Sequence, residues 1–120
     1  MTRPLAVKLT CGAEAAERAN QALTVAASAV ALGAEVSLWL TGEAVWFGVR
    51  DKVPDLGLEH SMTVADLMAT IRAGGEVTVC TQCVKRRSLT EADLVEKTRI
   101  AGAAVFTAFV LQDGVQALVY

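Results

Sequence analysis

Two cysteines three residues apart, followed at once by three cations, make the most reactive cluster in the chain: Cys80-Thr81-Gln82-Cys83-Val84-Lys85-Arg86-Arg87. A thiolate, not a thiol, is the nucleophile, and its pKa falls from about 8.5 toward 7 or lower at a helix N-terminus or beside cations. The residues before the cluster read as a strand. Val77 and Val79 are β-branched, alternate with Thr78, and follow the turn dipeptide Gly74-Gly75. The residues after Cys80 read as a short helix or turn, with Thr81 able to cap its first free N–H groups. Cys80 therefore stands where a strand hands over to a helix, with Lys85, Arg86 and Arg87 one to two turns on. In an open α/β sheet, ligands gather outside the carboxyl ends of the strands. The plain alternative is a buried cysteine that packs as a small hydrophobe.

Several chemistries fit such a cluster. A dithiol redox site would use Cys80 and Cys83 as attacking and resolving thiols. Against it, the motif follows the third strand rather than the first, and Pro4 and Pro54 are the only prolines, neither placed opposite the motif. A zinc site needs four ligands, and Cys11, Cys80, Cys83 and His60 form the one thiol-rich set. His60 sits in a loop and reads as solvated, so no metal and no cofactor is expected. Cys11-Gly12-Ala13-Glu14 is too short for a phosphate-cradling loop. A hydrolase would want a base, and one histidine is a thin basis for one. Sulfur handling remains, in which a thiolate accepts and donates a terminal sulfur as a persulfide.

The elements that must position these residues follow from the apolar pattern. Leu5–Leu9 reads as a first strand, ending at Thr10-Cys11-Gly12. A helix is expected from about Ala13 to Leu32, closed by Gly33, with Ala16, Ala19, Leu23, Ala26 and Val30 as its core stripe. Its second half carries only Thr24 and Ser28 as polar residues, which suggests cover on more than one side. Val36–Leu40 reads as the second strand and Glu43–Arg50 as a short helix, with Trp46 and Phe47 as core packing or as an aromatic wall. The stretch 51–62 reads as a loop. Thr63 caps a helix to about Ala73. Ser88-Leu89-Thr90-Glu91 has the pattern of a capping box opening a helix to about Glu96. Thr98–Ala101 is a fourth strand, Ala103–Leu111 an apolar helix, and Val115–Val119 a fifth strand.

This alternation implies an α/β class: one domain over 1–120, three layers, a five-stranded, mainly parallel sheet with right-handed crossovers. With a flavodoxin-like strand order, the first and third strands would flank the switch point, bringing Cys11 and Cys80 to one crevice.

Composition narrows the function. Hydrophobic residues are 53% of the 120 and charged residues 20%, apolar enough to suggest surface buried against further copies of the chain. A net charge of −2 argues against a nucleic-acid partner. The longest apolar runs, Ala22–Ala34 and Ala101–Leu111, fall short of the roughly 20 residues of a membrane span, so no membrane partner is expected. The first residues lack a signal-peptide pattern, and an odd number of cysteines, three, suits a reducing compartment. A cytoplasmic protein is expected.

At these residues the sequence resembles the DsrE/DsrF-like family, and within it sulfur-relay subunits of the TusD type. The resemblance spans nearly the whole chain. It rests on Leu9-Thr10-x-Gly12 before an Ala-rich helix, Ala31-Leu32-Gly33-Ala34-Glu35-Val36, Val77-Thr78-Val79-Cys80 with Arg86-Arg87, and Ile100-Ala101-Gly102-Ala103-Ala104. It implies the DsrEFH-like fold, assembly as a homo-oligomer (trimer or hexamer), and a sulfur-carrying cysteine at the position of Cys80. Glycine commonly follows the Arg pair, and Ser88 departs from that. The expectation is a sulfur carrier or sulfurtransferase in which Cys80 carries persulfide and Cys83 assists or resolves. Cys11 lies nearby, and Lys85 and Arg86 hold anionic sulfur, while Arg87 reads equally as a solvated charge. A sulfur donor or acceptor protein is the implied partner. The alternative is a non-catalytic oligomeric module that binds a small ligand or partner with incidental thiols.

Overall fold

The computed structural model describes residues 3–120. Five strands run parallel in one sheet: β1 (Pro4–Leu9), β2 (Glu35–Leu40), β3 (Gly75–Cys80), β4 (Arg99–Ala101) and β5 (Gln116–Val119). Their helical connections are α1 (Ala16–Ala31), α2 (Val64–Gly74), α3 (Thr81–Arg86) and α4 (Ala103–Val110). The α/β layering matches the expectation from alternating patterns.

Side chains on a strand alternate between faces, and here the alternation sorts the sheet cleanly. Val7 and Leu9 of β1, Val36, Leu38 and Leu40 of β2, and Val77 and Val79 of β3 join one buried core. Across from them lie Ala19, Leu23 and Ala26 of α1 and Leu67, Met68 and Ile71 of α2. Full burial of a leucine such as Leu38 or Leu40 contributes about 1.5–3 kcal/mol. The α2 helix runs into β3 with no loop between them. A Cβ on Gly75 would stand 2.7 Å from the Val36 carbonyl oxygen, so only glycine lets the strand start so close to its neighbour.

The strand order is β4-β3-β2-β1-β5, not the flavodoxin order. From β1 to β4 every crossover steps in one direction, which puts α1 and α2 on the same face. The return from β4 to β5 crosses the sheet the other way and leaves α4 on the opposite face. The switch point thus lies between β1 and β5, with β2 separating β1 from β3.

The α4 face is thinly covered. Phe106 meets Trp39 edge-on at 5.1 Å between ring centroids, and the Lys8 ammonium lies 5.0 Å from the Phe106 ring. No residue of α4 is fully buried. Trp39 Nε1 and Thr78 Oγ1 are buried beneath this side without a hydrogen-bond partner among the described residues. A groove of about 950 Å³ opens there, walled by Val36, Trp39, Val105 and Phe109.

Local expectations change in two places, after β2 and around Ser88. The segment after β2 is a 3-10 turn, Gly42–Gly48, rather than an α-helix over Glu43–Arg50; Phe47 is 1% exposed, the core role read for it. No α-helix follows Ser88. The capping box belongs to Thr90 and Asp93 and opens only the 3-10 turn Glu91–Asp93. Ser88 instead terminates α3: its φ is 55°, its N–H donates to the Lys85 carbonyl at 3.0 Å, and the Leu89 N–H donates to the Val84 carbonyl at 2.9 Å. That pair of bonds is a Schellman closure, which competes for the serine that looked like an N-cap. Within the single chain, Thr24, Ser28 and Ala31 on the outer side of α1 are exposed.

Candidate functional site

All five strands point the same way, so their carboxyl ends form one edge, and the residues just after β1, β2 and β3 meet the solvent there. Cys11 and Cys80 both belong to this edge, as expected. They do not share a crevice, because β2 and its Thr41-Gly42 turn stand between them. Cys11 is 4% exposed and its thiol faces the Ala15 carbonyl at 3.9 Å, within the turn that opens α1.

Cys80 is the last residue of β3 and the N-cap of α3. Thr81, read from sequence as the cap, is the first helical residue instead. The strand carries Cys80 out of the sheet with extended backbone angles (φ −70°, ψ 129°), and the chain turns helical at the next residue. The Cys80 side chain makes no capping hydrogen bond. Burial by itself would raise its pKa. The Cys83 thiol, the backbone N–H groups of Cys83 and Gln82, and the Arg86 charge outweigh that and hold Cys80 below the ordinary thiol value. Cys83, one turn on, is pushed the other way, by burial and by its role as donor to Cys80. The two thiols are thus shifted in opposite directions, Cys80 half-buried and Cys83 6% exposed.

Two groups that sequence reading passed over position Cys83 and offset part of its upward shift. The Gly42 N–H donates to Cys83 Sγ at 3.2 Å. Gly42 has φ +55°, and a Cβ there would stand 2.9 Å from the Thr10 carbonyl oxygen, so glycine is what permits the turn to aim its N–H inward. The Thr41-Gly42 stop after strand two was the only trace of it in the sequence.

The second is Glu43 with Arg87. Both Nε and one terminal nitrogen of Arg87 lie 2.8 Å from Glu43 Oε2, and its other terminal nitrogen donates to the Cys83 carbonyl at 3.0 Å. Arg87 is no freely solvated charge: it ties α3 to the Gly42–Gly48 turn. Arg86 reaches Gln82 at 3.3 Å on the exposed side of α3 and acts on Cys80 through its charge. Lys85 is exposed in the last turn of α3. His60 lies in the long loop beside Glu59, with its side chain 95% exposed. Among the described residues no three histidines, cysteines or carboxylates are grouped to hold a metal.

The arrangement brings Cys80, Cys83, Arg86, Arg87 and Gly42 into one unit and leaves Cys11 and Lys85 outside it. Such a unit can present a thiolate to an electrophilic sulfur and hold the product anion with N–H groups and a nearby cation.

Among known proteins, the chain is 35% identical over 85 residues to an uncharacterized protein of Methanopyrus kandleri, covering 71% of this chain and 68% of that one. It is 34% identical over 94 residues to an uncharacterized protein of Methanocaldococcus jannaschii, covering 78% and 80%. The fold superposes on the ychN protein from E. coli with a TM-score of 0.75 at 17% identity, over 98% of this chain and all of that one. A protein of unknown function from Methanobacterium thermoautotrophicum gives 0.74 at 12% identity, over 98% of both. With the five-stranded parallel sheet, the strand-end cysteine and a match to the family's profile across residues 5–119, the chain belongs to the DsrE/DsrF-like family.

Proposed function

We propose that this protein is a cytoplasmic sulfur carrier in which Cys80 takes up sulfane sulfur as a persulfide and passes it to an acceptor. The observation that carries the reading is the geometry of the pair: Cys80 half-buried at the end of a strand and the N-cap of α3, one turn from a buried Cys83 that accepts from the Gly42 N–H, with the Cys80 pKa held below and the Cys83 pKa above the ordinary thiol value. Attack on a donor's sulfane sulfur needs a thiolate, and the resulting persulfide is again an anion, so the same N–H groups and Arg86 favour product as well as reactant. Family membership supports it, as do three cysteines that are all free thiols, a state suited to a reducing compartment. Cys11, turned to the Ala15 carbonyl, and Lys85, exposed in the last turn of α3, are left outside the sulfur-binding unit in this reading.

Assembly into a homo-oligomer belongs to the same reading. The α4 helix holds no charged residue and buries none of its side chains, and the exposed Val105, Leu111 and Val119 lie on or next to it. A second copy of the chain is the occupant that would cover this surface. Charge introduced by Val105→Glu should leave a monomer by sedimentation.

The test of the carrier is incubation with inorganic polysulfide under anaerobic conditions, followed by intact-mass measurement. The wild type and Cys11→Ser should gain one sulfur atom, and Cys80→Ser none. Sulfur loading that persists in Cys80→Ser refutes the assignment. No loading in any form would favour the binding-module alternative.

A further inference from the structure

The Gly42 N–H has a consequence for where the Cys83 hydrogen points. Because that N–H donates to Cys83 Sγ at 3.2 Å, a lone pair of the sulfur is engaged on the Gly42 side, and the S–H must point elsewhere. One helical turn back is Cys80, at the N-cap, where three-residue spacing brings side chains to one face. Arg87 fixes the other side of Cys83 by bonding its carbonyl and anchoring on Glu43. Cys83, 6% exposed, is therefore fixed one helical turn from the residue that carries the sulfur. A carrier that only relays sulfane sulfur has no need of such a neighbour.

Building on the persulfide reading, we propose that Cys83 discharges the carrier reductively: its sulfur attacks Cys80 Sγ, and the terminal sulfur leaves as hydrosulfide. The step balances. A new bond forms between Cys83 Sγ and Cys80 Sγ, and the bond from Cys80 Sγ to the terminal sulfur breaks. The leaving sulfur takes that electron pair together with the Cys83 proton. Persulfide anion and thiol become disulfide and hydrosulfide, with one negative charge on each side. The two cysteines are oxidised by two electrons and the sulfane sulfur is reduced by two. Reset requires a dithiol reductant, a small dithiol or a redox protein with paired cysteines, which takes the disulfide by exchange and returns both thiols. The reaction fed by this site is accordingly one that consumes sulfide rather than sulfane sulfur.

The Gly42 N–H favours the Cys83 sulfur as it gives up its proton to attack.

The experiment uses the full chain, loaded anaerobically with inorganic polysulfide, freed of excess donor, and followed over time by intact mass and by hydrosulfide released. Wild type should pass from one sulfur heavier to two hydrogens lighter while releasing one hydrosulfide per chain, and peptide mapping should place the bridge at Cys80 and Cys83. Dithiothreitol should restore the starting mass. Cys83→Ser keeps an acceptor for the Gly42 N–H but cannot resolve, and its persulfide should last longer by about tenfold or more, the advantage of a neighbouring group over dissolved thiol. Equal persulfide lifetimes in wild type and Cys83→Ser overturn the proposal and leave the carrier reading intact. Failure of both forms to load overturns the carrier reading itself. Hydrosulfide release without a Cys80–Cys83 bridge also overturns the proposal, since another reductant would then be acting. Cys83→Ala, which loses the acceptor too, should match Cys83→Ser in persulfide lifetime, and a lifetime returning to the wild-type value would count against resolution by the thiol.

Discussion

Replacing Arg87 by alanine tests the geometry of the site at the side-chain contact that ties it to the Gly42–Gly48 turn. Two nitrogens of Arg87 meet Glu43 Oε2 at 2.8 Å, with side chains 21% and 49% exposed. Exposed ion pairs contribute about 0.2–1 kcal/mol. Arg87 is mostly out of solvent while Glu43 stands half in it, so the pair should sit at the upper end of that range, about 1 kcal/mol. The bond to the Cys83 carbonyl contributes about 1 kcal/mol more. Arg87→Ala should therefore cost about 2 kcal/mol, a fall in Tm of about 8 °C at roughly 4 °C per kcal/mol for a domain of this size. A double-mutant cycle with Glu43→Ala isolates the pair, and its coupling should shrink toward zero in 1 M salt, where the Debye length is about 3 Å. Arg87→Lys should recover only part of the loss, since an ammonium cannot reach both Glu43 and the carbonyl. Urea melts of the four cycle members give the numbers. A coupling indistinguishable from zero at low salt, with Arg87→Ala as stable as wild type, would refute the tether.

Further outcomes follow from the same geometry. Ser88→Gly should stabilise the protein by about 0.5–1 kcal/mol, because φ 55° costs a residue with a Cβ about 1–2 kcal/mol and glycine recovers most of it; Ser88→Val should destabilise, both read from urea midpoints. Iodoacetamide rates on Cys83→Ala and wild type should separate the origins of the Cys80 shift. In wild type the Cys80 rate rises as pH climbs through a pKa below the ordinary thiol value, and removal of the Cys83 donor moves that rise to higher pH. An unchanged profile in Cys83→Ala would remove the thiol from the account. Cys83 in Cys80→Ser should still react slowly, because burial shields its sulfur and pushes its pKa up.

The sheet and the strand-end cysteine were legible in the sequence because both are written in local alternation. Val77, Thr78 and Val79 announce a buried strand, and Cys80 stands where the pattern stops. Strand order was not legible. Nothing in β1 or β2 encodes which of them lies beside β3, and the choice follows from the face taken by the β2-to-β3 crossover, where α2 packs beside α1. Ser88 misled for a different reason: serine is a frequent N-cap, and a left-handed serine closing a helix leaves no pattern of its own. The setting of Cys83 stayed hidden because Gly42 and Cys83 are 41 residues apart, and a backbone N–H has no side-chain signature. Arg87 read as one of three adjacent cations, and only its partner Glu43, supplied by a distant turn, sets it apart.

The pairing of β5 with β1 has a consequence in time. Leu5–Lys8 lies in register with Gln116–Val119, so two stretches about a hundred residues apart must meet for this part of the sheet to close. During synthesis β1 emerges first and β5 follows every other element, and a nascent chain folds behind the ribosome from its leading end. Until β5 arrives, β1 is the bare border of a four-stranded sheet, an apolar strand with Lys8 as its only charge. The fold thus passes through a stage in which its oldest strand waits unguarded for its youngest, and slowed translation of the last stretch would lengthen that wait and favour aggregation.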